Sequence, residues 1–235
     1  MKGIYKSDKG LIRDSNQDWV EVRNYDDGSC LSVVCDGIGG EAGGDVASKE
    51  ASLAIVDYFE NHVNDDVKSL ILSSLRYANQ EVLKIGRSNE SISNLGTTSV
   101  VAFVKGNKLH VANIGDSRAY LISEYDIIQI TSDHSMVNEL LSKGVITPDE
   151  AKNSPNKNII TRSIGSLDAK PDYYDRLLNK NEKILLCTDG LTNCVSDGDI
   201  KKIINENAPE DSIKILINTA NDNGGIDNIS VSLIF

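Results

Sequence analysis

Apolar runs, alternating or continuous, recur along this chain and predict strands at Trp19–Tyr25, Cys30–Cys35, Thr98–Val104, Leu109–Ile114, Arg118–Ile122, Ile127–Ile130, Lys183–Cys187 and Ile229–Phe235. Several joins are short and turn-rich, as in VKGNKL, which favours antiparallel pairing. A helical period replaces this pattern twice. Ala47, Ala51, Ala54, Ile55, Tyr58 and Phe59 share one face, and so do Val67, Ile71, Leu75, Ala78, Val82 and Ile85. Asp45 stands near the start of the first helix and Asp65 and Asp66 near the start of the second, where acids suit capping and the helix dipole. The two helices predict an antiparallel pair. Further helices are expected near Asp199–Glu206 and Glu210–Asn221. Strands in runs and helices in pairs give an α+β pattern, antiparallel sheet covered by helices.

With 235 residues, of which 40% are hydrophobic, the chain can bury a full core, as one large domain or two small ones. No Pro-rich or Ser-rich linker divides it, and a single domain over 1–235 is expected. The formal net charge of -11 argues against a general affinity for nucleic acid or anionic membrane. It also fits a site that collects cations. No apolar run approaches the ~18 residues of a membrane helix, and the N-terminal MKGIYKSDKG has no signal-like segment. Cys30, Cys35, Cys187 and Cys194 form no CxxC pair and no zinc-ligand spacing. Reduced thiols in a cytoplasmic monomer are the expectation.

The chemistry gathers at strand ends. VVCDGIGG and LLCTDGLT each run an apolar strand into Asp-Gly, at Asp36 and Asp189. Asp116 follows the strand HVANIG, Asp227 precedes the last strand in GGIDNIS, and Asp18 precedes an early strand in RDSNQDWV. Any single Asp-Gly reads best as a hairpin turn. Five acids at strand ends admit another reading, delivery to one rim by neighbouring strands. Carboxylates so gathered repel and raise one another's pKa unless a cation sits among them. Hard ions such as magnesium or manganese take carboxylate, carbonyl and water oxygens. Glycine beside the acid leaves its carbonyl open to close approach.

Eight collinear blocks resemble the PP2C family of metal-dependent protein serine/threonine phosphatases in its compact bacterial form. They are SDKGLIRDSNQD, VVCDGIGGEAGGDVAS, LGTTSVVA, VANIGDSRAYL, TSDHSMV, NIITRSIG, LLCTDGLT and GGIDNIS. The resemblance implies a sandwich of two antiparallel sheets with a helix pair on each outer face. It implies a centre of two Mn2+ or Mg2+ ions, with Asp36 bridging them, the Gly37 carbonyl on one, and Asp189 and Asp227 completing the protein ligands. A hydroxide bridging the ions would attack phosphorus directly, without a phosphoenzyme. Arg13 matches the family's phosphate-binding arginine, and a guanidinium fork suits two phosphoryl oxygens. Asp18 takes an outer position, holding a metal-bound water.

The same resemblance makes Asp116 a ligand of a weaker third metal shared with Asp189. The alternative is a tight turn in which Asp116 contacts Arg118. Asn193 stands where many animal relatives carry a further acid, so a third ion should bind loosely. Gln17 stands where some relatives carry a glutamate, Glu41 where many bacterial members carry a histidine, and Ile38 where some carry a histidine proposed as general acid. With Ile38 there, leaving-group protonation would fall to metal-bound water. Asp45, in place of a usual glutamate, keeps the role of helix cap. His134, in SDHS, reads as a structural hydrogen-bonding histidine. His62 and His110 have no motif around them, and Thr97 and Thr98 read as strand residues beneath the site. Residues 144–165 match the flap of bacterial relatives, which tunes access to the cleft; an ordinary long loop is the alternative. Phosphorylated proteins are the implied substrates, with a membrane-anchored Ser/Thr kinase as the opposing partner.

Rival chemistries lack their motifs: there is no C-x5-R, no GDxHG and no G-x4-GK[ST]. A catalytically dead binding module usually loses the metal acids, which are all present here. A two-carboxylate glycosidase would need no manganese.

Overall fold

The fold was obtained as a computed structural model describing residues 1–38, 40–62, 66–88, 95–152, 154–156 and 158–235. Asp65 therefore lies outside the described residues, as does the side chain of Glu41. One sheet takes the order β1-β11-β10-β7-β8, from Gly3–Asp8, Ile229–Ile234, Lys183–Cys187, Arg118–Ile122 and Ile127–Gln129. The other takes the order β2-β3-β5-β6-β9, from Asp18–Asn24, Cys30–Ile38, Ser99–Lys105, Lys108–Ile114 and Asp172–Leu177, with the short β4 (Gly96–Thr97) paired to β3. Among the described residues these strands all pair antiparallel.

Strand alternation sorts the core into three layers. In β3, Leu31, Val33 and Cys35 face the helices α1 (Gly40–Asn61) and α2 (Val67–Ser88), while Cys30 and Val34 face the other sheet. In β11, Ile229, Val231 and Leu233 face α6 (Asp197–Glu206) and α7 (Pro209–Asp222), and Ile234 faces inward. The middle layer holds a polar tie as well, Ser32 Oγ to Ser232 Oγ at 2.7 Å. The result is the four-layer arrangement that the resemblance implies. Among the described residues no helix is long and apolar enough to cross a membrane.

The first helix differs from its sequence reading. It begins at Gly40, so Asp45 lies inside it and does not cap it. Glycine disfavours a helix interior, but close packing on β3 at Gly44 compensates. Ser212 is buried in α7, and α7 starts on Pro209 at its first turn, where the missing N–H costs nothing. Three short helices escaped the sequence pattern: α3 (Met136–Ser142), α4 (Pro148–Lys152) and α5 (Asp189–Thr192). The thiols of Cys30, Cys35 and Cys187 are buried, and burial pushes them up to about 11, 11 and 12. They are inert packing groups.

Candidate metal centre

Strand parity delivers the acids. Val20 and Val34 point between the sheets, and two residues onward on the same face stand Asp18 and Asp36. These two are directly paired across β2 and β3, so their side chains leave the same side of the sheet at its rim. In β10, Ile184 and Leu186 point inward, and Thr188 continues that face just before Asp189 opens α5. Asp116 lies where the chain crosses from β6 in one sheet to β7 in the other, and Asp227 precedes β11.

A cleft of 540 Å³ at this end of the sandwich is lined by Arg13, Asp36, Gly37, Asp116, Asp189 and Asp227, among others. All the acids picked out in the sequence meet here or, for Asp18, just beneath. An adjoining cavity of 370 Å³ shares Asp116 and Asp189 and reaches Asn193, Leu141 and Ala151. Asn158, from the 144–165 segment, lines both. That segment is fastened to the body by Met136 N–H to the Ile159 carbonyl (2.8 Å) and Thr161 N–H to the His134 carbonyl (2.8 Å).

The electrostatics are those of a crowded acid cluster. Burial, and then the charges of Asp18, Asp189, Asp116 and Asp227, raise the Asp36 carboxyl well above its ordinary value. Asp18 and Asp116 are each pushed up to about 7, chiefly by burial. Asp189 is raised by burial and by Asp227. One oxygen each of Asp18, Asp116 and Asp189 is buried without a hydrogen-bond partner. The alternative role for Asp116 fails on this point: Arg118 gives its guanidinium to Asp133 at 2.7–3.1 Å, not to Asp116.

Two further side chains bond to the acids. Arg13 Nη2 donates to Asp227 Oδ2 at 2.8 Å, and Asn193 Nδ2 donates to Asp189 Oδ2 at 3.0 Å. Among the described residues no three carboxylates are already gathered as a ligand cluster. Orphaned, buried, all-oxygen donors of raised pKa nonetheless fit a hard divalent cation, which would satisfy the lone pairs and offset the repulsion.

Backbone clamps that the sequence did not reveal fix Asp36. Thr98 Oγ1 accepts from Asp36 N–H at 3.0 Å and meets Ser117 Oγ at 2.7 Å. Thr97 Oγ1 donates to the Asp36 carbonyl at 2.8 Å, and Thr98 N–H donates to the same oxygen at 2.8 Å. Thr97 and Thr98 thus grip Asp36 rather than merely packing beneath it. Asp18 receives a hydrogen bond from Thr188 Oγ1 at 2.9 Å.

The two Asp-Gly glycines have a packing cause. A side chain at Gly37 would strike the backbone of Gly44 in α1 and the Gln17 carbonyl, and one at Gly190 would strike the Asn228 carbonyl. Close backbone approach therefore demands glycine at both positions. Gln17 serves through its backbone as well, receiving Gly37 N–H at 3.1 Å.

The histidines are structural. His134 Nδ1 accepts from Gly115 N–H at 3.1 Å, which leaves Nε2–H to donate to Asp172 Oδ2 at 3.1 Å. Burial depresses its pKa, so the neutral ring braces the turn that carries Asp116. His110 meets Tyr173 Oη at 2.6 Å, and His62 stacks on Tyr58.

The sequence profile described as Protein phosphatase 2C matches residues 12–228. Protein phosphatase PhpP of Streptococcus pneumoniae is 39% identical over 234 residues, covering 97% of this chain and 94% of the relative. Serine/threonine phosphatase Stp1 from Staphylococcus aureus superposes with a TM-score of 0.92 at 36% identity, over 99% of this chain and 93% of the other. The catalytic domain of PstP, solved with two manganese ions, superposes with a TM-score of 0.88 at 30% identity, over 99% and 96%.

Proposed function

Since this chain belongs to the protein phosphatase 2C family, we propose that its acidic cleft hydrolyses phosphoserine and phosphothreonine in proteins with two divalent ions held by Asp36, the Gly37 carbonyl, Asp189 and Asp227. One observation carries the assignment: Asp36, Asp116, Asp189 and Asp227 line one cleft at the strand ends, with one oxygen each of Asp116 and Asp189 buried without a partner. Such ions supply Lewis acidity and a water of lowered pKa. The chain's own groups do the rest. Thr97 and Thr98 hold Asp36 in place, and Arg13 presents a guanidinium at the cleft mouth for two phosphoryl oxygens. Asp18 sits behind the cluster on Thr188, suited to orient a water. Ile38 lines the cleft and offers no proton to the leaving group.

The ions are Mn2+ or Mg2+, a reading supported by the PstP relative solved with two manganese ions. The opposing enzyme is a Ser/Thr kinase, and the location is the cytoplasm, in keeping with the free cysteines.

Hydrolysis of p-nitrophenyl phosphate tests the reading. The expected result is activity with manganese and none after EDTA; activity that survives chelation would contradict it.

Asp116, with an orphaned oxygen between the two cavities, is proposed as the ligand of a weaker third ion. Asn193 cannot add a charge to that ion, and instead donates to Asp189. Asp116→Ala should lower kcat about 10- to 100-fold while two manganese ions still bind by calorimetry. Unchanged kinetics would remove the third ion.

A further inference from the structure

Arg13 rides on a loop, residues 9–17, that joins β1 to β2 and includes the exposed side chains of Leu11 and Ile12. Its backbone is paired across the molecule near each end: the Gln17 carbonyl accepts from Gly37 N–H at 3.1 Å and from Ser48 Oγ at 2.5 Å. Leu11 N–H and Ile12 N–H reach the Gly225 carbonyl, at 2.8 and 3.3 Å. A single side chain also ties the two ends of the loop to each other. Asn228 Nδ2 donates to the Lys9 carbonyl at 2.8 Å and to the Ser15 carbonyl at 2.9 Å, and Asn228 Oδ1 accepts from Gln17 N–H at 2.8 Å. The amide is buried, and both its donor hydrogens and its acceptor are engaged. Its three partners bracket Arg13 from both sides. Its chain neighbour, Asp227, is the residue that Arg13 pairs with at 2.8 Å.

We infer that Asn228 is the positioning residue for Arg13: its side-chain amide staples both ends of the 9–17 loop and so fixes where the guanidinium meets a phosphoryl group. Only asparagine suits the place at this length. Aspartate would set a carboxylate against two carbonyl oxygens and lose both donors. A mobile loop would have to be ordered each time substrate binds, which weakens binding without altering the groups that react. The inference rests on Arg13 as the phosphate-binding group.

The test compares wild type, Arg13→Ala, Asn228→Ala and the double variant on a phosphothreonine peptide, with inorganic phosphate as competitive inhibitor. Each single variant should raise KM and the phosphate inhibition constant about tenfold, with kcat less affected, because the binding lost is common to ground and transition states. The double variant should be no worse than Arg13→Ala, since Asn228 acts through that residue. A wild-type KM in Asn228→Ala, or effects that multiply in the double variant, would overturn the inference while leaving Arg13 in its role. A wild-type KM in Arg13→Ala would remove the role of Arg13 and the inference with it. Asn228→Ser, which keeps a donor, should fall between wild type and Asn228→Ala; it replaces the alanine variant should that one not fold.

Discussion

Asp36→Asn should lower turnover roughly 10³-fold or more while leaving the fold intact. The substitution keeps size and shape. The backbone bonds that hold residue 36, to Thr98 Oγ1, from Thr97 Oγ1 and from Thr98 N–H, do not involve the carboxylate and survive it. What is lost is the one charge that faces Asp18, Asp189, Asp116 and Asp227 together. An amide binds hard divalent ions far less well than a carboxylate. Hydrolysis of p-nitrophenyl phosphate at saturating manganese and a circular dichroism spectrum check the two halves. A wild-type rate would show that another acid carries the site. Asp189→Asn should behave alike, since its carboxyl opens on the same cleft and faces Asp227.

The second large effect is on stability, and its sign is opposite to habit. Asp18 and Asp116 titrate near 7 when folded, against 3.8 when free. Below pH 4 both states carry the protons, and above 7 both have lost them. Between these limits the folded chain binds more protons than the unfolded one, so stability from these groups falls as pH rises from 4 to 7. The EDTA-treated protein should therefore melt roughly 10–20 °C lower at pH 8 than at pH 5, from about 3 kcal/mol per group at about 2–4 °C per kcal/mol for a chain of this size. Asp116→Asn should flatten that slope and raise the melting temperature at pH 8, because an ionised buried acid is replaced by a neutral group. Manganese at about 100 times its Kd should restore about 3 kcal/mol at the same pH. A melting temperature that climbs from pH 5 to pH 8 in EDTA would refute the crowding of these acids.

Much of this fold is legible from alternation, and the two longer strands that escaped it share a cause. Both β1 (GIYKSD) and β9 (DYYDRL) are sheet edges with little buried surface, so neither shows an apolar run. The interior strands β3, β5 and β10 are buried on both faces and announce themselves. The glycine-rich start of α1 is helical against local propensity because Gly44 must lie against Gly37. That same contact explains why Asp45 reads as a cap in the sequence and sits inside the helix in the fold.

The site divides in a similar way. Its acids are legible because each follows or precedes a strong strand. The clamps are not, because their partners are remote: Thr98 meets Asp36 across 62 positions, and Asn228 meets Lys9 across 219. The sequence did hold a signal for Asn228, since a buried asparagine beside a ligand acid needs several partners. Nothing local says that those partners lie on the loop of Arg13. Arg118 shows the reverse error, a neighbour that looks like the partner of Asp116 and belongs to Asp133.

Calorimetric titration of the metal-stripped protein with manganese addresses the centre of the matter. The acids are expected to take up at least two ions per chain, and Asp36→Asn is expected to lose that uptake. A stripped wild-type chain that binds no manganese, or an Asp36→Asn chain that binds it as tightly as wild type, would contradict the assignment of this cleft as a metal centre.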